Sequence, residues 1–174
     1  MSRLVGLFVG LGVSKVRLTG GEPLLRRGVT DLARQIAALP GLRDLSVSSN
    51  GTQLARHAAG LREAGVSRLN ISLDSLDADC FARITGRDCL SDVLDGLRAA
   101  REAGFKPIKL NMVVQPGVND HEIERILDAA RAAGATEAEL GAGQWVDGGG
   151  VHGFFSGNRT YINGTVNENS VSFE

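Results

Sequence analysis

Cysteine is scarce in this chain: 174 residues contain two, Cys80 and Cys89. Nine positions apart, and with no histidine spaced to join them, they belong to no cluster able to hold a metallic cofactor, and they read as free thiols. Excess charge is missing as well. A formal net charge of −1 gives no global field toward nucleic acid or anionic lipid, so partners of both kinds are excluded apart from local basic sites. There is no long hydrophobic run either. The apolar opening from Met1 to Leu11 stops well short of the roughly 20 residues that span a bilayer. It has a single basic residue and no small-residue cleavage pattern, so it reads as a helix and the cytoplasm is the expected compartment.

What is present has ordinary globular proportions, 43% hydrophobic and 22% charged, enough for one domain with a core. From residue 12 to 134, short β-rich runs alternate with Ala/Leu/Arg stretches of helical period. The expected strands are Lys15–Thr19, Asp44–Ser49, Arg68–Asp74 and Ile108–Val114. Between them lie helices at Thr30–Ala38, Leu54–Ala64, Ala78–Thr85, Ser91–Ala103 and His121–Ala133, with Gly41, Gly65, Gly104 and Gly134 as stop signals and Asp120 as an N-cap. Mostly apolar strands predict a parallel sheet with helices on both faces.

The strand spacing approaches that of a β/α barrel, whose functional residues gather at the carboxyl ends of strands. Four strands are too few to close one, and the chain opens on a helix. The expected fold is therefore α/β, a partial β/α (TIM-like) barrel fragment of about four parallel strands with the first strand missing. Residues 1–134 form that part. Residues 135–174 form a divergent Gly/Asn-rich tail, irregular or with short β segments: a hairpin at Trp145–Gly150 and edge strands at Thr160–Ile162 and Val171–Phe173. An open sheet edge predicts marginal stability or self-association.

Five strand-end features follow in order: Arg17 with Gly20-Gly21-Glu22-Pro23, Ser48-Ser49-Asn50-Gly51, Ser72-Leu73-Asp74-Ser75, Lys109 with Asn111, and the Gln115–Asp120 turn. Each alone has a structural explanation: a tight connection at Gly20-Gly21, a turn at Asn50-Gly51, caps at Ser72 and Asp74, a solvent-facing Lys109. Together they place hydroxyl, amide and glycine backbone groups around a polar ligand, with Arg17 and Lys109 as cations for a phosphate or carboxylate. His57, His121 and His152 are too scattered for a metal site.

The ordered set Lys15–Arg26, Ser49-Asn50-Gly51-Thr52 and Asn70–Leu76, continued by Phe81–Arg87, Gly104–Asn111 and Gly117–Asp120, resembles the molybdenum cofactor biosynthesis protein A family over about residues 3–134. Its members are radical S-adenosylmethionine enzymes, GTP 3',8-cyclases, built on an incomplete β/α barrel. The resemblance implies that Gly21 and Ser72 contact S-adenosylmethionine, with Gly20 and Glu22 in the same motif, and that Arg17, Ser48 and Lys109 contact GTP. At position 48 the family usually has Thr, and Ser keeps the hydroxyl. It also implies two 4Fe–4S clusters, one on a Cys-x3-Cys-x2-Cys loop and one on C-terminal cysteines. Cys80 and Cys89 match neither. The resemblance therefore implies a GTP 3',8-cyclase-like protein inactive on its own, with a non-catalytic nucleotide-binding remnant as the alternative.

Overall fold

A computed structural model describes residues 1–106, 108–132, 138–141, 151–156 and 159–164, with side chains described as far as Ala129. The elements in chain order are α1 (Ser2–Gly10), β1 (Lys15–Leu18), α2 (Val29–Ala37), β2 (Asp44–Ser49), α3 (Leu54–Glu63), β3 (Arg68–Ser72), α4 (Ala78–Thr85), α5 (Leu90–Glu102), β4 (Ile108–Val114), α6 (Ile123–Ala132), β5 (Ala138–Gly141), β6 (Val151–Ser156) and β7 (Arg159–Gly164). The α/β alternation is the one expected, and each expected boundary before residue 133 lies within two residues of the observed one. The chain divides into two compact units, Met1–Ile71 with Ser91–Lys106, and Ser72–Leu90 with Pro107–Glu174.

In the first unit β1, β2 and β3 run parallel, Leu18 opposite Val47 and Ser48 opposite Asn70. Successive side chains in a strand point to opposite faces. That period puts Leu18, Leu45, Val47, Leu69 and Ile71, all buried, on one face. Arg17, Ser46, Ser48, Arg68 and Asn70 share the other. The expectation of helices on both faces is thus corrected: the strands alternate, which is the pattern of a sheet with a single apolar face.

On the apolar side Ile36 of α2, Leu54 and Leu61 of α3, Val93 of α5 and Phe105 are almost entirely buried. Each contributes about 1.5–3 kcal/mol by leaving water. The Arg62 guanidinium lies over the Phe105 ring, 5.6 Å from its centre, and covers its edge of the core. Beyond α3 the chain turns at Gly65, φ +93°, where an added Cβ would stand 2.8 Å from Ala37 Cβ. Only glycine lets α2 and this turn approach so closely. On α1, Val9 is buried while Leu4, Leu7 and Phe8 are exposed, as is Leu11 just past its end.

In the second unit Met112 and Val114 of β4 pack with Ile126 and Leu127 of α6, flanked by Leu76 and Ile123. Strand β7 runs antiparallel to β4, Val113 opposite Tyr161, and pairs also with β5 and β6. Thr160–Ile162 therefore lies in a strand with partners on both sides, not at an edge. Trp145–Gly150 and Val171–Phe173 lie outside the described residues. Two expected caps change. Asp77, not Ser72 or Asp74, caps α4 by accepting the Cys80 N–H at 2.8 Å, because an N-cap oxygen reaches only the amides two or three residues after it. Asp120 begins the 3-10 turn Asp120–Glu122, with Asn119 at its cap position. Among the described residues no helix is long and apolar enough to cross a membrane.

Candidate functional site at the strand ends

The β1 end is set by conformation. Gly20 and Gly21 have φ of +91° and +52°, and an added Cβ at either would meet nothing within 4 Å. A backbone twist, not crowding, demands glycine here, and it leaves peptide groups open to a ligand. Glu22 then turns inward. Its Oε1 accepts the Leu24 N–H at 2.9 Å and the Ser49 hydroxyl at 2.8 Å, and its Oε2 accepts the Asn50 N–H at 2.7 Å. Ser49 Oγ in turn accepts the Gly51 N–H at 3.0 Å, and Asn50 Oδ1 accepts from Thr52. One carboxylate thus fixes both the glycine turn after β1 and the loop after β2. Sequence reading placed Glu22 in the motif but missed its partners, because no local pattern pairs residues on successive β/α loops.

Next to this junction stand Arg17, exposed, and Ser48, half-buried, on the polar face of the sheet. Buried Asn70 donates from Nδ2 to Ser48 Oγ at 3.1 Å. With Oγ accepting, the Ser48 proton is left to donate to a ligand. Asn70 was read only as part of a motif. Its place between Leu69 and Ile71, which puts it on the opposite face from those two buried side chains, was the signal that could have found it.

Of the remaining expected residues, Ser72 ends β3 exposed and Lys109 lies half-buried on β4, both in the second unit. The structure therefore gathers Arg17, Gly20, Gly21, Glu22 and Ser48 at one end of the first unit. Around the Ser72 loop lies a second polar network. The Leu73 N–H donates to Asn111 O at 2.8 Å, and the Val113 N–H to Asp74 Oδ1 at 2.8 Å. Buried Asn119 donates from Nδ2 to Asp74 O and Val113 O, at 2.7 and 3.0 Å, and accepts the Gln115 N–H at 2.7 Å. Buried Glu122 accepts the Ser75 hydroxyl and the Leu76 and Asp77 N–H groups, the last two at 2.8 and 3.0 Å.

The two carboxylates of this network titrate in opposite directions. Burial pushes Glu122 up, but its hydrogen bonds from Ser75, Leu76 and Asp77, with Arg125 nearby, outweigh burial and hold it below the usual range. Burial pushes Asp74 up, and the single Val113 N–H only partly offsets that. A carboxyl with a raised folded pKa binds its proton more readily folded than unfolded, so its ionisation erodes stability as pH rises through the folded pKa. Asp74→Asn, which keeps an acceptor for Val113, is expected to be more stable than the parent at pH 7. The advantage should shrink to nothing as pH falls to about 4, the ordinary aspartate range. Urea unfolding at several pH values measures it, and a pH-independent difference would contradict the assignment.

Cys80 is buried with Sγ 3.4 Å from Val118 O, and Cys89 is half-buried; both are free. Among the described residues no three His, Cys, Asp or Glu side chains are grouped to hold a metal ion. The residues present do not fit an iron–sulfur cluster, which rests on thiolates. The open glycine turn does fit a small polar ligand held by backbone groups.

Residues 2–130 match the Radical SAM superfamily. The chain is 56% identical over 133 residues to a GTP 3',8-cyclase of Pseudomonas putida, covering 76% of this chain and 39% of that protein. It is 55% identical over 131 residues to a GTP 3',8-cyclase of Marinobacter nauticus, 75% and 39% of the two lengths. It is 54% identical over 125 residues to GTP 3',8-cyclase 2 of Pseudomonas aeruginosa, 72% and 38%. The chain thus spans about two fifths of the length of these relatives. With its parallel β/α units and the glycine pair ending its first strand, the chain belongs to the radical SAM superfamily, in the portion that the GTP 3',8-cyclases share.

Proposed function

We propose that these residues form the ligand-binding strand ends of a GTP 3',8-cyclase of molybdenum cofactor biosynthesis. Arg17, Ser48 and Lys109 hold GTP, and Gly20, Gly21, Glu22 and Ser72 shape the S-adenosylmethionine site. The observation that carries the reading is the junction at one end of the first unit: an exposed guanidinium and a hydroxyl oriented by Asn70 stand beside an open glycine backbone that Glu22 ties to the loop after β2. Arg17 suits a triphosphate because its planar fork meets two oxygens at once. Ser48 donates its proton to a second acceptor. The glycine peptides receive the amino acid moiety of S-adenosylmethionine, which supplies the hydrogen-abstracting 5'-deoxyadenosyl group when bound.

Two cysteines cannot provide the thiolates that reductive cleavage of S-adenosylmethionine needs. We read the 174 residues on their own as binding without turning over. Calorimetry with GTP should detect binding, and Arg17→Ala should weaken it about tenfold, the loss of one charge-assisted contact of about 1.4 kcal/mol. Equal affinity for both proteins would remove Arg17 from the site. Formation of 5'-deoxyadenosine after anaerobic reconstitution with iron and sulfide would overturn the non-catalytic part. GTP binding without any S-adenosylmethionine binding would favour the alternative, a nucleotide-binding module.

A further inference from the structure

The loop between β3 and α4 has a structural problem: residues 73–77 leave a strand without entering a helix, so their backbone donors lack regular partners. Buried N–H groups are almost always satisfied. Here the partners come from one distant turn. Glu122, with no exposed surface, takes the Ser75 hydroxyl on Oε1 and the Leu76 and Asp77 N–H groups on Oε2. Three residues earlier, equally buried Asn119 ties Asp74 O to Val113 O at the end of β4.

The first unit contains the same device. Glu22 takes the Ser49 hydroxyl on Oε1 and the next backbone N–H, that of Asn50, on Oε2. In both places a carboxylate on one loop grips a serine hydroxyl and the amide that follows it on another. In the first unit the gripped loop follows β2, next to Ser48. In the second it follows β3, next to Ser72. A fixed loop matters most where a side chain on it must meet a ligand without being ordered at the moment of binding.

We propose that Glu122 is a positioning residue for S-adenosylmethionine binding: through Ser75 and the Leu76 and Asp77 amides it fixes the loop that presents Ser72, with Asn119 anchoring the same loop to β4. This rests on the reading of Ser72 as a contact of that ligand. Glu122 itself is enclosed and touches no ligand. Its charge is already occupied by three donors and by Arg125, whose Nη1 lies 3.6 Å from Oε2.

The test compares the full chain with Ser72→Ala, Glu122→Gln, Ser75→Ala and the double variant Ser72→Ala/Glu122→Gln. Each is titrated calorimetrically with S-adenosylmethionine and separately with GTP, well below its melting temperature. Glu122→Gln should weaken S-adenosylmethionine binding about tenfold, and Ser75→Ala by a similar factor, with GTP affinity changed less than about twofold. The double variant should bind S-adenosylmethionine no more weakly than Ser72→Ala alone, since Glu122 acts through that residue. Amide exchange at Leu76 and Asp77 should quicken in Glu122→Gln.

If Ser72→Ala loses S-adenosylmethionine while folded Glu122→Gln and Ser75→Ala bind it as the parent does, the positioning role is wrong and the site reading stands. If both affinities fall together with the folded fraction, Glu122 is a stability residue only and the proposal is overturned. If the parent binds no S-adenosylmethionine, or Ser72→Ala binds it normally, the Ser72 reading fails and the proposal with it. Should Glu122→Gln not fold, Ser75→Ala decides.

Discussion

Gly96→Ala is expected to destabilise the first unit by about 2 kcal/mol, against the usual direction for this substitution in a helix. In an exposed helix interior, replacing glycine by alanine gains up to about 1 kcal/mol from backbone entropy. Gly96 lies within α5, and an added Cβ would stand 2.6 Å from Gly51 O and 2.9 Å from Leu54 Cβ. Neither neighbour is the free end of a flexible side chain. The helix or the loop after β2 must shift, and overpacking of this kind costs about 1–3 kcal/mol, occasionally more. The clash therefore outweighs the propensity gain.

Gly10→Ala in α1 is the control, because an added Cβ there meets nothing within 4 Å. Urea unfolding should lower the midpoint for Gly96→Ala and leave it unchanged or raised for Gly10→Ala. A midpoint for Gly96→Ala at or above the parent's would show that α5 and the Gly51 loop yield without cost. The same shift should reach the candidate site. Gly51 follows Asn50, whose N–H is held by Glu22, so moving Gly51 O strains the junction that sits beside Ser48.

The elements were legible because their signals are local. Asp44–Ser49, Ile108–Val114 and Ala78–Thr85 each combine a period with a bounding turn, and each was read to the residue. The faces of the sheet were less so. Ser46, Ser48 and Asn70 carry the alternation that distinguishes a polar face, but among short apolar runs a few small polar residues look like interruptions. What escaped altogether was non-local. Glu22 meets Ser49, and Glu122 meets Ser75, across whole β/α units, so no window of sequence contains both partners. The position of β7 between β4 and β5 escaped for the same reason: the strand itself is visible at Thr160–Ile162, but strand pairing is decided by the rest of the sheet.

Glu22→Ala should cost the first unit about 2 kcal/mol, and here the loss and its pattern both discriminate. Removing the carboxylate strands the Leu24 and Asn50 N–H groups, each worth about 1–3 kcal/mol when left without an acceptor. The lower end applies to each, because Glu22 is only half-buried and water can replace part of the contact. Ser49 loses its acceptor too, but a hydroxyl can turn. Glu22→Gln keeps one carbonyl oxygen for Ser49 and Leu24 and sets an amide against the Asn50 N–H, so about half the loss is expected. The order parent, Gln, Ala in unfolding midpoint follows from the geometry alone. Ligand affinity then separates positioning from contact. If Glu22 works by holding the two loops, S-adenosylmethionine affinity should fall in the same order as stability, modestly for Gln and at least about tenfold for Ala. If its charge meets the ligand directly, Gln should lose as much affinity as Ala while keeping half the stability, since the substitution removes the charge and preserves most of the shape. Measured together, unfolding midpoints and calorimetric titrations of the two variants decide which role the carboxylate has.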